Sequence, residues 1–490
     1  MSNATNELSS TGVSGLDDIL GGGLTKGRFY LIEGTPGAGK TTLALQFLMD
    51  GAKRGESVLY VTLSETDQEL SAVAASHGWN LSNIHIREML PAQGSLQPDE
   101  QYTLFHPSEV ELGETTKRIL DDVIRMEPSR VVWDSLSELR LLAGTALRYR
   151  RQILALKNFF AGRACTVLLL DDLTANEHDL QVQSIAHAVI RMEQVHSDYG
   201  AARRRLLVLK YRGRNYRGGY HDYKIERGGL VAFPRLIAAE HTADIVQSKL
   251  PSGIHELDEL LGGGIEKGTS TLLVGAPGTG KSTLAMQFVV AAAARGEKCS
   301  LFLFDESITT LRSRCNGMGM ALQPHVESGR IRLRQIDPAE LSPGELVHDI
   351  RNDVVEEDVS IVVIDSLNGY LNAMPDERFL IVQLHELLTF LGQSGVATLL
   401  IGAQSGLIGA NMQTPVDASY LADSVVLMRY FETNGEVRQA ISVVKKRAGA
   451  HERTIRDLAM TGEGIRVGPA LREFRGILTG VPMMYDEKPR

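Results

Sequence analysis

Short runs of consecutive apolar residues recur along this chain, each ended by a glycine-rich or polar stretch and followed by a segment of helical periodicity. FYLIEG (29–34) and STLLVG (270–275) are two such runs. Each gives way to a glycine-rich loop and then to an amphipathic stretch, TTLALQFLMDGAKRG or STLAMQFVVAAAARG. SVLYVTL and CSLFLF come next, then RVVWDS (130–135) and SIVVIDS (360–366), then CTVLLLDD (165–172) and ATLLIGAQ (397–404). Unbroken apolar runs are strands buried on both faces. The pattern therefore predicts an α/β fold: a mostly parallel twisted sheet with helices on both faces. RRRLLVLKYRG and RQAISVVKKRAG add a final β-rich stretch to each series.

The two series are one unit written twice. Residues 11–65 align without a gap to residues 252–306, with about 25 of 55 positions identical. The expected organisation is a disordered segment over 1–10, a first domain over 11–240, a linker at 241–250 inside the stretch LIAAEHTADIVQSKL, a second domain over 251–480 and a short tail over 481–490.

Gly34-Thr35-Pro36-Gly37-Ala38-Gly39-Lys40-Thr41 and Gly275-Ala276-Pro277-Gly278-Thr279-Gly280-Lys281-Ser282 both match GxxxxGK[ST] between a strand and a helix. Glycines let successive backbone N–H groups turn around an anion, and the helix that follows offers its positive end. Thr42 and Thr283 extend the two cradles into that helix. Lys40 and Lys281 would reach the β- and γ-phosphates of ATP, and the hydroxyls of Thr41 and Ser282 would hold Mg²⁺. The second magnesium ligand belongs at the end of a buried strand, where Asp134 and Asp365 stand. A base for water belongs at the tip of the strand beside the cradle. Ser64-Glu65 and Asp305-Glu306 occupy it, one acid in the first half and two in the second. The paired acids Asp305 and Glu306 could divide their work between water and a protein hydroxyl.

The doubled cradle, the GLDxxLGGGxxxG-like lead-in to each and the two DSL strand ends together resemble the KaiC family of RecA-like ATPases over roughly residues 10–485. The resemblance implies two tandem RecA-like P-loop NTPase domains, ATP and Mg²⁺ as cofactors, and a homohexameric double ring with ATP between subunits. It also implies serine/threonine autokinase activity in the second domain, which acts as a phosphorylation-state switch. The family's trans-acting Lys-x-Arg element falls on Lys210 and Arg212, and on Lys445 and Arg447. Its phospho-acceptor region falls on Ser419, followed here by Tyr420 in place of threonine, with Thr414 upstream. The short C-terminus argues against a KaiA-type partner, while a KaiB-like regulator stays open.

Composition removes other classes. With 43% hydrophobic and 23% charged residues the chain is an ordinary globular one, and a net charge of −9 gives no general pull towards nucleic acid or an anionic membrane. Three cysteines without a CxxC pair suit a reducing, cytoplasmic setting, and no apolar run reaches the length of a membrane span. The alternative is a RecA/RadA-like DNA-dependent ATPase. It would use the basic run Arg203, Arg204, Arg205, Lys210, Arg212, Arg214 and Arg217 with Tyr211 and Tyr216. The expectation here is that this run is the strand carrying the trans element.

Overall fold

The computed structural model describes residues 7–89, 107–173, 181–196, 200–241, 248–372, 377–404, 420–478 and 483–484. The chain divides into two compact units, residues 1–235 and 236–490.

In the first unit, β1 (Phe29–Gly34) runs into the glycine-rich loop and α1 (Lys40–Lys53). It is followed by β2 (Val58–Thr62), α2 (Asp67–Ser76), β3 (His85–Glu88), β4 (Arg130–Asp134), α3 (Ala146–Phe160) and β5 (Thr166–Asp172). Then come β6 (Ala188–Val195), β7 (Arg203–Tyr211), β8 (Tyr220–Glu226) and β9 (Gly229–Phe233). They form one nine-stranded sheet in the order β3-β2-β4-β5-β1-β6-β7-β8-β9. The strands from β3 through β6 are parallel, and β7, β8 and β9 continue the sheet antiparallel.

The second unit repeats this plan. Its elements are β10 (Ser270–Gly275), α4 (Lys281–Ala294), β11 (Lys298–Leu303), α5 (Ile308–Gly317), β12 (Ile331–Gln335), β13 (Val359–Asp365), α6 (Glu377–Gln393) and β14 (Ala397–Ala403). β15 (Ser424–Thr433), β16 (Glu436–Lys446), β17 (Arg456–Thr461) and β18 (Gly464–Ala470) complete it. The order β12-β11-β13-β14-β10-β15-β16-β17-β18 matches the first sheet position for position. The result is two tandem RecA-like α/β units.

Alternation along each central strand feeds two cores. Tyr30 and Ile32 pack with Phe47 and Leu48 of α1 on one face, and Phe29 and Leu31 with Ile153 and Phe160 of α3 on the other. Leu273 and Leu272 split the same way between the α4 and α6 sides. This period-2 division is why the strands read as unbroken apolar runs. Glycine at the end of β1 is a steric requirement: a Cβ on Gly34 would lie 2.3 Å from the Met192 carbonyl oxygen of β6.

Two boundaries differ from the sequence expectation. Leu8–Ser9 is a short strand paired with Leu24–Thr25, and Arg130 donates to the Ser10 carbonyl, so order begins before residue 11. Leu236 and Ala238 pack in the core of the second unit, and Ala238 N–H donates to Glu386, so residues 236–240 belong to that unit. Their apolar side chains find a surface to cover there, which a solvated linker would not offer.

Candidate functional site

The two cradles are built alike. Gly39 and Gly280 stand at the N-caps of α1 and α4 with φ of 88° and 91°, a left-handed conformation that suits glycine. Thr35, Pro36, Gly37 and Ala38, and Ala276, Pro277, Gly278 and Thr279, fill the loops between strand and helix. Lys40 Nζ donates to the carbonyl oxygens of Gly34 and Thr35, and Lys281 Nζ to those of Gly275 and Ala276. Both lysines are buried, and burial lowers the pKa of Lys281. Each cradle thus has a buried ammonium folded back over its own loop. Thr42 and Thr283 are buried in the first helical turn.

β4 and β13 end at Asp134 and Asp365, beside the helix starts. Thr41 Oγ1 donates to Asp134 Oδ2 at 3.2 Å, and the Ser282 hydroxyl bonds Asp365. Burial raises the pKa of both acids, and the hydroxyl partners oppose it. A hydroxyl and a carboxylate in contact fit Mg²⁺, which takes few protein ligands when phosphates and water supply the rest. Among the described residues no cluster of three or more His, Cys, Asp or Glu could hold a metal by itself.

The strand-tip acids differ between the units. Glu65 is half-buried, its Oε2 has no hydrogen-bond partner, and burial raises its pKa, with Asp134, Glu69 and Asp172 adding to the effect. Burial raises the pKa of Glu306 too, but there it is opposed by Arg314, from whose Nη2 Glu306 accepts at 2.6 Å. Asp305 accepts from the hydroxyl of Ser366, so the two acids of the second unit have separate partners.

The basic pairs stand at the far end of the sheet from their own cradle. Arg212 N–H donates to the His187 carbonyl, and His187 N–H to that of Phe29, the first residue of β1; the cradle begins at its last, Gly34. A six-residue strand spans roughly 17 Å. Likewise Arg447 N–H donates to the Asp423 carbonyl, and Asp423 N–H to that of Ser270, the first residue of β10. Neither pair is brought to the phosphate loop of its own unit. A groove of about 240 Å³ beside Arg212 is lined also by Arg28, Lys157 and His187. Burial, then the neighbouring Arg212 and Lys157, lower the pKa of Lys210. In the second unit Lys445 donates to the Ala422 carbonyl, and Arg447 pairs with Asp423 at 3.3 Å.

Family comparison covers both units. The family model for the KaiC ATPase matches residues 9–236 and 250–472. This chain belongs to the KaiC ATPase family. Circadian clock protein KaiC3 of Synechocystis sp. is 28% identical over 485 residues, 97% of this chain and 95% of that protein. Circadian clock oscillator protein KaiC of Thermostichus vulcanus is 28% identical over 487 residues, 98% of this chain and 92% of that protein. The protein of that name from Synechococcus elongatus is 27% identical over 487 residues, with the same coverage. Membership makes this an ATP-binding ATPase with a repeated P-loop domain.

Several other features find their place within the KaiC-family fold. The basic run is largely tied down locally: Arg205 pairs with Glu193 and covers the Tyr220 ring, Arg214 donates to the Gly21 carbonyl, and Arg217 pairs with Asp18. Ser419 and Thr414 lie outside the described residues. Among the described residues no helix is long and apolar enough to cross a membrane. Sequence reasoning passed over Asp172, Tyr60 and Arg314. Asp172 Oδ1 lies 2.7 Å from Lys40 Nζ, and Tyr60 Oη donates to Asp134 Oδ2 at 2.5 Å. The acid pair closing CTVLLLDD was a readable signal for Asp172. A tyrosine inside an apolar strand and an arginine within a helix carry none.

Proposed function

We propose that both units bind Mg²⁺-ATP, and that copies of the chain assemble into a homohexameric double ring in which each subunit completes its neighbour's sites. Lys40 and Lys281 bind the β- and γ-phosphates, and Thr41 with Asp134, and Ser282 with Asp365, hold Mg²⁺. Glu65 and Glu306 accept the proton of the attacking water as the bond from γ-phosphorus to the bridging oxygen breaks, releasing ADP and phosphate. Lys210 and Arg212, and Lys445 and Arg447, offset charge on the neighbour's γ-phosphate, a contribution of about 10³–10⁵ in rate for an arginine finger. The observation that carries this reading is the placement of both basic pairs a strand's length from their own cradle. A cation there serves a nucleotide only when a second copy presents one.

In the second unit the γ-phosphoryl passes to a protein hydroxyl at Ser419, with Thr414 as a secondary acceptor. The hydroxyl proton goes to Asp305 or Glu306, and ADP leaves. Retention of two acids where the first unit has Ser64-Glu65 supports this division. The curated relatives are named as clock proteins, which supports a phosphorylation-state switch and leaves a KaiB-like regulator as a candidate partner.

Native mass spectrometry with and without Mg²⁺-ATP, followed by phosphosite mapping, tests this. Wild type should assemble with nucleotide and gain phosphoryl groups near Ser419. Arg212→Ala should keep bound ATP and lose first-unit turnover. A chain that stays single under saturating Mg²⁺-ATP sinks the trans-site reading, and a turning-over protein without a phosphoryl gain leaves an ATPase alone.

A further inference from the structure

The helices that follow the strand-tip acids are in register between the units. Thr66 and Ser307 cap them, Leu70 and Leu311 are buried in their first turns, and Ala74 and Cys315 in their second. In that register Val73 of α2 corresponds to Arg314 of α5. Arg314 Nη2 donates to Glu306 Oε2 at 2.6 Å, and its Nη1 donates to Thr283 Oγ1 at 3.0 Å. One guanidinium therefore ties the strand-tip glutamate to the helix that leaves the cradle, one residue past Ser282. Its Nε is buried without a hydrogen-bond partner, so the group sits inside the protein surface rather than waving in solvent. Glu65 has Val73 in that place and, among the described residues, no such cation, and its Oε2 is unpartnered.

We propose that Arg314 is a positioning residue that restrains Glu306 and so slows ATP turnover in the second unit. This rests on the assignment of Glu65 and Glu306 as bases. A carboxylate takes a proton from water less readily the more its negative charge is already stabilised. The guanidinium that donates to Glu306 Oε2 at 2.6 Å stabilises the ionised form, and charge-assisted bonds of this length are the strong ones. The same bond fixes the carboxylate against α4, so its approach to an incoming water depends on Arg314 letting go. Among the described residues of the first unit no cation is paired with Glu65 in this way.

The test measures phosphate release by the full chain in Mg²⁺-ATP, in a Glu65→Gln background so that turnover reports the second unit. Arg314→Val, which installs the first unit's residue, should raise kcat roughly three- to tenfold, the weight of a charge-assisted bond discounted for partial exposure. KM for ATP should move less than about twofold, because the lysine cradle is untouched. Arg314→Lys should restore most of the restraint, and adding Glu306→Gln to Arg314→Val should abolish the rise. Arg314→Gln provides a second neutral variant, and fluorescent nucleotide bound at saturation shows that each protein is folded. A kcat that falls or stays level in both neutral variants overturns the proposal, as does a rise that survives Glu306→Gln. If Glu65→Gln with Glu306→Gln turns over ATP like wild type, the assignment of the bases fails instead.

Discussion

Lys40 Nζ lies 2.7 Å from Asp172 Oδ1, whereas the residue in the matching register beside Lys281 is Ala403. Asp172 pairs with Gly34 across β1 and β5, and Ala403 with Gly275 across β10 and β14, so the two positions are the same point of the fold. The cradles share their backbone and differ in what the lysine already holds. If Lys40 binds phosphate as proposed, it exchanges a carboxylate for that phosphate when nucleotide arrives, and the carboxylate then faces a second anion.

Asp172→Ala should therefore tighten ATP binding at the first cradle. The pair is partly exposed on the aspartate side, so the gain is about 1 kcal/mol, roughly fivefold in Kd. Nucleotide titration in a Lys281→Ala background isolates the first cradle. Weaker binding in the Asp172 variant would show that the acid organises the lysine rather than competing for it.

Tyr60 supplies the closest donor to Asp134, and the second unit has Leu301 at the corresponding place in its strand. Tyr60→Phe removes that donor from a buried carboxylate while preserving the ring, at a cost of about 1.5–3 kcal/mol. The chain has two tryptophans, Trp79 and Trp133, both in the first unit, so intrinsic fluorescence during denaturant unfolding follows that unit specifically. An unchanged midpoint would mean that Asp134 finds another donor in the variant.

The fold was legible because its signals are local and repeated. The central strands are apolar on both faces, since each buries Tyr30-like and Leu31-like positions on opposite sides, and the glycine loops sit where a strand meets a helix. Lys40, Thr41 and Asp134 stood out as candidates because phosphate and metal chemistry restrict both residue type and position along the chain, and the structure brings the Thr41 hydroxyl and the Asp134 carboxylate into contact. Arg314, Tyr60 and Asp172 act through contacts spanning distant parts of the sequence or a helix turn, and nothing in their own neighbourhoods names a partner. The end of the first domain was misplaced for a related reason. LIAAEH reads as a polar-flanked connector, yet Leu236 and His241 lie against the second unit, with His241 packed on the Phe390 ring.

Arg130 is 1% exposed and engages Asp50, Glu56 and the carbonyl oxygens of Ser10 and Phe47. Its guanidinium also lies over the Phe47 ring, 4.7 Å from the centroid. Arg130→Ala leaves Glu56 without its cation beside a cavity, while Asp50 keeps Arg54, so the cost lies at the lower end of the roughly 3–5 kcal/mol for breaking a buried pair. Out of a typical domain stability of about 5–15 kcal/mol, that is enough to unfold much of the first unit on mild heating. Tryptophan fluorescence on a thermal ramp should show the loss, and an unshifted transition would mean that Asp50 and Glu56 are solvated in the native state.

His221 gives the first unit a built-in acid sensitivity. Its ring is 1% exposed, its Nδ1 accepts from Arg235 N–H at 2.8 Å, and its Nε2 lies 3.0 Å from the Arg217 carbonyl oxygen. An acceptor at Nδ1 and a donor at Nε2 define a neutral imidazole with its proton on Nε2. Burial, opposed by the Arg217 carbonyl and reinforced by the Arg235 and Arg217 charges, pushes the pKa down from 6.5 to about 4, against a small pull from Asp18. The unfolded chain takes up a proton below pH 6.5 that the folded unit refuses until about pH 4. Stability from this residue is thus fully present above pH 6.5, falls across that window and levels off below it. The slope is about 1.4 kcal/mol per pH unit and the total about 3 kcal/mol. Carboxylates titrate in the same range, so the decisive quantity is the difference between wild type and His221→Gln. Denaturant midpoints by tryptophan fluorescence at several points between pH 7 and 4 should converge as the pH falls, because the variant lacks one proton's worth of slope. Parallel curves would show that the His221 ring protonates in place without disturbing Arg235 or Arg217.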